Sequence, residues 1–307
     1  MMKRFIARTL IFFLLLVIID ISLGVFFDYA LGKATLTDFG RDNHITNVGK
    51  EDLLVFGSSR AVHHYNTKML EDSLDMECYN CGEDGQGIIL NYGRLLMEKE
   101  RHQPKIVIYD IQPDYDIEEN DNSTYLKWLK PHYDRKGIGN IVASVDKKES
   151  LKLMSHLYRY NSEYILLLIA LAHSREVASD NGFCPLNGIM DSTQIDKDRT
   201  EKAPIIKIDS LKIRYLHQFI KEMNEGELVF VISPTWYGKK AFSNYELIET
   251  ICKEHGITFI DFSNSPKYVH NNDLFKDGMH LNNKGADEFT KDLIKLLKKA
   301  NPPTQSY

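Results

Sequence analysis

From Phe5 to Phe27 the chain reads FIARTLIFFLLLVIIDISLGVFF, apolar almost throughout. The part from Thr9 to Phe27 is long enough to span hydrocarbon at about 1.5 Å per helical residue. Asp20 interrupts it, and a charge near the middle of a span costs about 3 kcal/mol on insertion scales. Lys3 and Arg4 precede the run, a bias that favours a cytoplasmic N-terminus and an exported remainder. The alternative is a cleaved signal peptide, whose apolar core is about 7–15 residues long and ends in a small-x-small site. This run is longer, and Ala30-Leu31-Gly32 is a poor site. Residues 1–27 are therefore expected to form an uncleaved single-pass anchor, with the main domain extracytoplasmic. The mixed, polar residues 28–50 are expected to be a stalk.

Beyond it the pattern changes to short apolar runs separated by helical periodicity. Asp52 to Gly57 is an apolar run closed by glycine, the mark of a fully buried strand. A helix is expected from Ser59 to about Leu74, a weaker strand from Met76 to Asn80, and a loop through Gly82, Gly85 and Gly87. Another helix follows from Gly87 to about His102. Lys105 to Tyr109 is rich in β-branched residues and reads as a strand, stopped by Pro113. The rhythm is lost between about residues 114 and 210, which predicts a large, mainly helical insertion containing Trp128 and the apolar run Tyr164–Ala172. That run is too short to cross a bilayer and reads as a buried or interfacial helix. Order resumes with a helix near Leu211–Met223, strand Glu227–Ile232, helix Asn244–His255 and strand Ile257–Asp261. A last helix runs from about Asn282 to Lys299, capped by Asn282 or Asn283. Strands alternating with helices imply an α/β domain over residues 51–300, its parallel sheet covered on both faces.

The chain has 307 residues and a net charge of −5. That balance argues against a nucleic-acid partner, which requires a basic field. Cys78 and Cys81 form a C-x-x-C without a second pair or histidine cluster, so zinc is not implied. They read as small buried residues or a local disulfide.

In open α/β sheets, sites form beyond the carboxyl ends of the strands. Ser58 and Ser59 follow the first strand and Gln112 to Asp114 the third. Ser233 to Trp236 follow the fourth, and the segment after the fifth leads to Asp277-Gly278-Met279-His280-Leu281. A serine hydroxyl is a weak nucleophile until a neutral imidazole, steered by a carboxylate, takes its proton. Asp277 and His280 are spaced to act as that pair, although an aspartate near a helix start is also an ordinary cap. His63 and His64 lie on the helix after Ser59, which is expected to carry them away from it. Arg60 reads as a surface or packing charge, with an anion clamp as the alternative. Trp236 and Tyr237 could stack on a sugar or simply pack. Glu83 and Asp84 read as solvated loop charges.

Phe56-Gly57-Ser58-Ser59 together with Asp277-Gly278-Met279-His280-Leu281 resembles the SGNH/GDSL hydrolase superfamily. It is most similar to the membrane-anchored branch that carries Gly-Ser-Ser, which includes proteins of cell-wall D-alanylation and polysaccharide O-acetylation. The resemblance covers about residues 51–113 and 227–298. It implies a three-layer, flavodoxin-like fold with Ser59 as nucleophile, His280 as base and Asp277 as its orienter. Oxyanion donors would be Ser59, the second-block glycine, for which Gly85 is the better match, and Gln112. The third block departs from the family: Gln112-Pro113-Asp114 stands where Gly-x-Asn-Asp is usual. Losing one oxyanion donor costs ~10²–10³ in rate. The resemblance further implies acyl-ester hydrolysis or O-acyl transfer at the cell envelope, with an acyl donor, a carbohydrate acceptor and a membrane-embedded acyl-transfer partner. Arg60 and Trp236 are the candidate substrate contacts, and no metal or cofactor is called for. The alternative is a non-catalytic envelope protein that uses the same fold to bind glycan or a membrane partner.

Overall fold

The computed structural model describes residues 1–35, 37–173, 181–191, 193, 206–239 and 243–300. Five strands form one parallel sheet: β1 (Leu53–Gly57), β2 (Cys78–Asn80), β3 (Ile106–Asp110), β4 (Glu227–Ile232) and β5 (Thr258–Asp261). Their order across the sheet is β2-β1-β3-β4-β5. With twelve α-helices among the described residues, the chain is α/β. The register sets Gly57 beside Asp110 and Asp110 beside Val231, so the central strands end level. The chain runs outward from β1 to β2 and then places β3 on the other side of β1. That reversal opens a crevice at the carboxyl ends of β1 and β3.

Side chains alternate across the sheet with period two, so each strand feeds both faces. Leu53, Val55, Ile108, Val229 and Val231 join a core with Phe289, Leu293 and Leu297 from helix Asn283–Ala300. Phe56 and Tyr109 point to the opposite face, where their rings meet Phe219 of helix Ser210–Glu222 at 5.6 and 5.1 Å. With both faces covered, β1 is buried at every position and β3 and β4 at all but their first. Burying each of these large side chains contributes roughly 1.5–3 kcal/mol.

The single helix expected over 59–74 is two, Ser59–His64 and Thr67–Leu74. Asn66 breaks it, because its carboxamide oxygen accepts the Met69 N–H at 3.2 Å and caps the second helix. Its amide also reaches Asp287 at 2.8 Å on the last helix.

The described residues cluster into two units, one containing 49–121 and 179–307 and the other 1–48 with 122–178. The expected insertion is thus divided. Residues 114–121 and 181–191 belong to the sheet unit, whereas 122–178 group with the N-terminal segment. The stalk reading of 28–50 is corrected as well. Helix Met2–Lys33 continues through its first residues, and Thr37–Asn43 and His44–Val48 are helical too. Polar residues there are held inside their own unit: His132 Nε2 donates to Asp42 at 2.9 Å, and the Asn43 amide donates to the Ala34 carbonyl at 2.9 Å. Trp128, at 5.4 Å from Phe39, packs in this unit. Helix Met2–Lys33 is long and apolar enough to cross a membrane.

Candidate active site

The turn after β1 is set by Gly57, at φ +145°. A Cβ there would lie 2.7 Å from the Asp110 carbonyl oxygen and 2.9 Å from Ala61 Cβ, so only glycine fits. The chain turns sharply and begins helix Ser59–His64 with Ser59 partly exposed above the crevice.

From the far end of the sequence, the loop after β5 brings His280 to the same point. Ser59 Oγ and His280 Nε2 are 2.8 Å apart. On its other edge His280 Nδ1 stands 3.0 Å from each oxygen of Asp277. Asp277 Oδ1 also accepts the Met279 and His280 backbone N–H groups, at 2.8 and 3.0 Å. Partial burial acts to raise the Asp277 pKa, but the His280 bond and charge and these N–H donors outweigh it and hold the carboxyl below its usual value. An ionised Asp277 fixes the proton on Nδ1 and leaves Nε2 free to accept from the serine hydroxyl.

A second polar chain, not foreseen from sequence, supports the loop carrying His280. Ser233 Oγ donates to Asp110 Oδ2 at 2.5 Å, and His64 Nδ1 lies 3.0 Å from Ser233 Oγ. His64 Nε2 accepts the Leu281 N–H at 3.0 Å. Because Ser233 spends its proton on Asp110, His64 must carry its own on Nδ1, which is also what the Leu281 contact requires. Burial pushes the His64 pKa well down, in the same direction as its electrostatic interactions with His280, Arg60 and His63, so the ring stays neutral. The expectation that the helix carries His63 and His64 away from Ser59 is therefore corrected: their rings lie 5.7 and 6.4 Å from that of His280. His64 faces inward because the helix ends immediately after it, bringing it onto Leu281. The available signal was a polar residue closing an apolar strand: Asp110 ends β3 and Ser233 follows β4.

Arg60 takes the packing role and not the anion clamp. It is fully buried, donates to the Ile111 and Ser233 carbonyls at 3.1 and 3.4 Å and stands 3.5 Å from Asp110. It is a structural cation under the site and is out of reach of a substrate. Trp236 is equally committed to packing: its indole N–H donates to Asn272 at 2.8 Å, and its ring meets His270 and Tyr237. Glu83 is not a solvated loop charge but a buried partner of Arg94 at 2.9 Å. Asp84 is exposed and faces His63 Nε2 at 3.4 Å. Cys78 and Cys81 are free thiols, with burial raising both pKa values well above the ordinary range.

The candidate oxyanion donors sit as follows. Ser59 supplies an N–H from the first turn of its helix, one that the helix cannot itself satisfy. Gly85 adopts φ +68° with open space where a Cβ would stand. Gly82, by contrast, is pressed against Ala61 and gives its N–H to Asn80 Oδ1 at 3.0 Å. Gln112 is buried after β3 with its backbone N–H held by Asp116 at 2.6 Å, and its carboxamide oxygen has no hydrogen-bond partner among the described residues. Segment 181–191 flanks this region: Cys184 N–H donates to the Val62 carbonyl at 3.0 Å, and its own carbonyl lies 2.6 Å from His63 Nδ1. No cluster of three or more metal-binding side chains occurs among the described residues. No protein-family model and no curated protein matches the chain.

Proposed function

We propose that this chain is a membrane-anchored serine acyl-ester enzyme of the SGNH type, acting at the cell envelope on a polysaccharide. The observation that carries this reading is the hydrogen-bonded line Ser59–His280–Asp277, at 2.8 and 3.0 Å, which joins Ser59 to a pair more than two hundred residues further along the chain. A binding module requires no such alignment of hydroxyl, neutral imidazole and carboxylate.

In the first half-reaction, Ser59 Oγ attacks the acyl carbonyl as its proton passes to His280 Nε2. Asp277 holds the imidazolium that forms. The Ser59 and Gly85 N–H groups, with the Gln112 amide, stabilise the oxyanion. Collapse breaks the ester C–O bond, and His280 returns its proton to the departing alcohol. In the second half, His280 takes a proton from water or a sugar hydroxyl, whose oxygen attacks the acyl-serine. The acyl group leaves as acid or new ester, and Ser59 recovers its hydrogen through His280. A membrane-embedded partner delivering acyl groups is consistent with an anchored enzyme.

The test is covalent labelling of the full chain by a serine-directed fluorophosphonate, together with turnover of acetyl esters with and without a carbohydrate alcohol. Labelling is expected at Ser59, with slow hydrolysis that the alcohol accelerates. Ser59→Ala should abolish labelling and lower turnover at least ~10³-fold. Rapid hydrolysis indifferent to added glycans would make the protein an esterase. An absence of labelling, with envelope function undiminished in Ser59→Ala, would make it a binding protein.

A further inference from the structure

Helix Tyr164–Ala172 packs against helix Met2–Lys33, with the Tyr164 ring 5.1 Å from that of Phe27. Only Leu167 and Ala170 of the shorter helix are buried. Ile165, Leu166, Leu168 and Ile169 are exposed, as are Leu151 and Met154 just upstream. Six large apolar side chains standing outward on one short stretch require an apolar surrounding.

Asp20 gives that surrounding a depth. Its carboxylate accepts the Ser155 hydroxyl at 2.5 Å and the His156 and Leu157 backbone N–H groups at 2.8 and 3.2 Å. Residues 155–157 therefore lie level with Asp20, seven residues before Phe27, where the apolar run ends. At about 1.5 Å per residue that is about 10 Å inside the run. Tyr160 and Tyr164 then meet Asp28 and Phe27 at its end, which sets helix Tyr164–Ala172 at the membrane interface, where an apolar helix face is buried by about 5–10 Å. Irregular backbone survives in hydrocarbon only if its polar groups find partners within the protein. Here the Tyr158 N–H is taken by Ser155 Oγ at 3.1 Å, and the Leu157 carbonyl by the Tyr164 hydroxyl at 3.2 Å.

We propose that residues 151–172 are embedded beside the anchor in one leaflet of the bilayer, with Ile165, Leu166, Leu168 and Ile169 facing lipid chains. This rests on the membrane-anchor reading and extends it from one spanning helix to a lipid-embedded pair locked together at Asp20. It also accounts for the carboxylate in the apolar run.

The experiment uses the full chain with Cys184→Ser, whose remaining described thiols are buried, in phosphatidylcholine–phosphatidylglycerol vesicles. Nitroxides are attached at Ile165→Cys, Ile169→Cys, Leu14→Cys and Glu254→Cys, and the parent supplies the background. Collision with lipid-soluble oxygen is compared with collision with a water-soluble nickel chelate. Oxygen should dominate at 165 and 169 as it does at 14, and nickel at 254. Nickel dominating at 165 and 169 while oxygen dominates at 14 overturns the proposal and leaves the anchor standing. Low collision with both reagents at 165 and 169 also overturns it, since protein would then cover the helix. Nickel dominating at 14 as well overturns the anchor and the proposal together.

Discussion

Both units bury an apolar core, but the one formed by 1–48 and 122–178, which buries Leu129, Ile138 and Leu153, also leaves many large apolar side chains exposed. In the unit built on the sheet, Phe56, Phe219, Phe230 and Phe289 are fully buried. In the unit formed by 1–48 and 122–178, Phe12, Phe13, Met154 and Ile165 are each more than half exposed. Exposed apolar area costs roughly 25 cal/mol per Å² in water, so this surface is where the second unit departs from the first.

Their carboxylates differ in the same sense. Asp110, in the sheet unit, has a guanidinium at 3.5 Å as well as the Ser233 hydroxyl and N–H. Asp20 is held by one hydroxyl and two backbone N–H groups. The contrast breaks first at Asp110. Asp110→Ala leaves Arg60 buried without its carboxylate, and losing one partner of a buried pair costs about 3–5 kcal/mol. The urea midpoint of the reconstituted chain should fall accordingly, with Asp110→Asn falling less. An unchanged midpoint for Asp110→Ala would mean that Arg60 is satisfied without it.

Asp20→Leu tests the other side of the contrast. It removes a charge from an apolar helix, which favours insertion, but strips three donors of their acceptor. Each buried donor left unsatisfied costs about 1–3 kcal/mol, and cleavage of a transiently open segment tracks that local stability. Added protease should therefore cut within 151–172 roughly 10–100-fold faster. Equal cleavage rates would show that Asp20 does not hold the segment.

What could be read in the sequence follows the same division. The strands of the sheet unit were legible because parallel strands covered on both faces are continuous apolar runs. Ser59 and the Asp277–His280 pair were legible because each lies in a loop at the carboxyl edge, where topology gathers chemistry. The partners of Arg60 were not, because they are Asp110, fifty residues away, and Ser233, 173 residues away. The helix break at Asn66 was hidden for a similar reason: a cap that local patterning leaves open is reinforced by contacts to Thr290 and Asp287. Residues 28–48 read as a stalk because their polar side chains look solvated until Asp42 meets His132. In helix Tyr164–Ala172 most of the large apolar side chains are exposed, so apolarity there marked a helix without marking what it faces.

Asp116 sharpens the comparison of carboxylates, since it lies in the sheet unit yet resembles Asp20 in being held by uncharged donors, the Gln112 N–H at 2.6 Å and the Tyr109 hydroxyl at 2.7 Å. Burial pushes its pKa up, against both bonds, from 3.8 to about 7. A carboxyl raised in the fold binds its proton more tightly there than in the unfolded chain. Its contribution is complete below about pH 3.8 and is lost as the pH rises through about 7. Asp116→Asn removes that titration, while the mismatch of its amide against Gln112 or Tyr109 costs the same at every pH. Between about pH 5 and 7, the variant should gain on the wild type by on the order of 1 kcal/mol per pH unit, read from paired urea midpoints. A difference that stays constant over this range would mean that Asp116 is ionised throughout, and that neutral donors alone are enough to hold a buried charge in this unit.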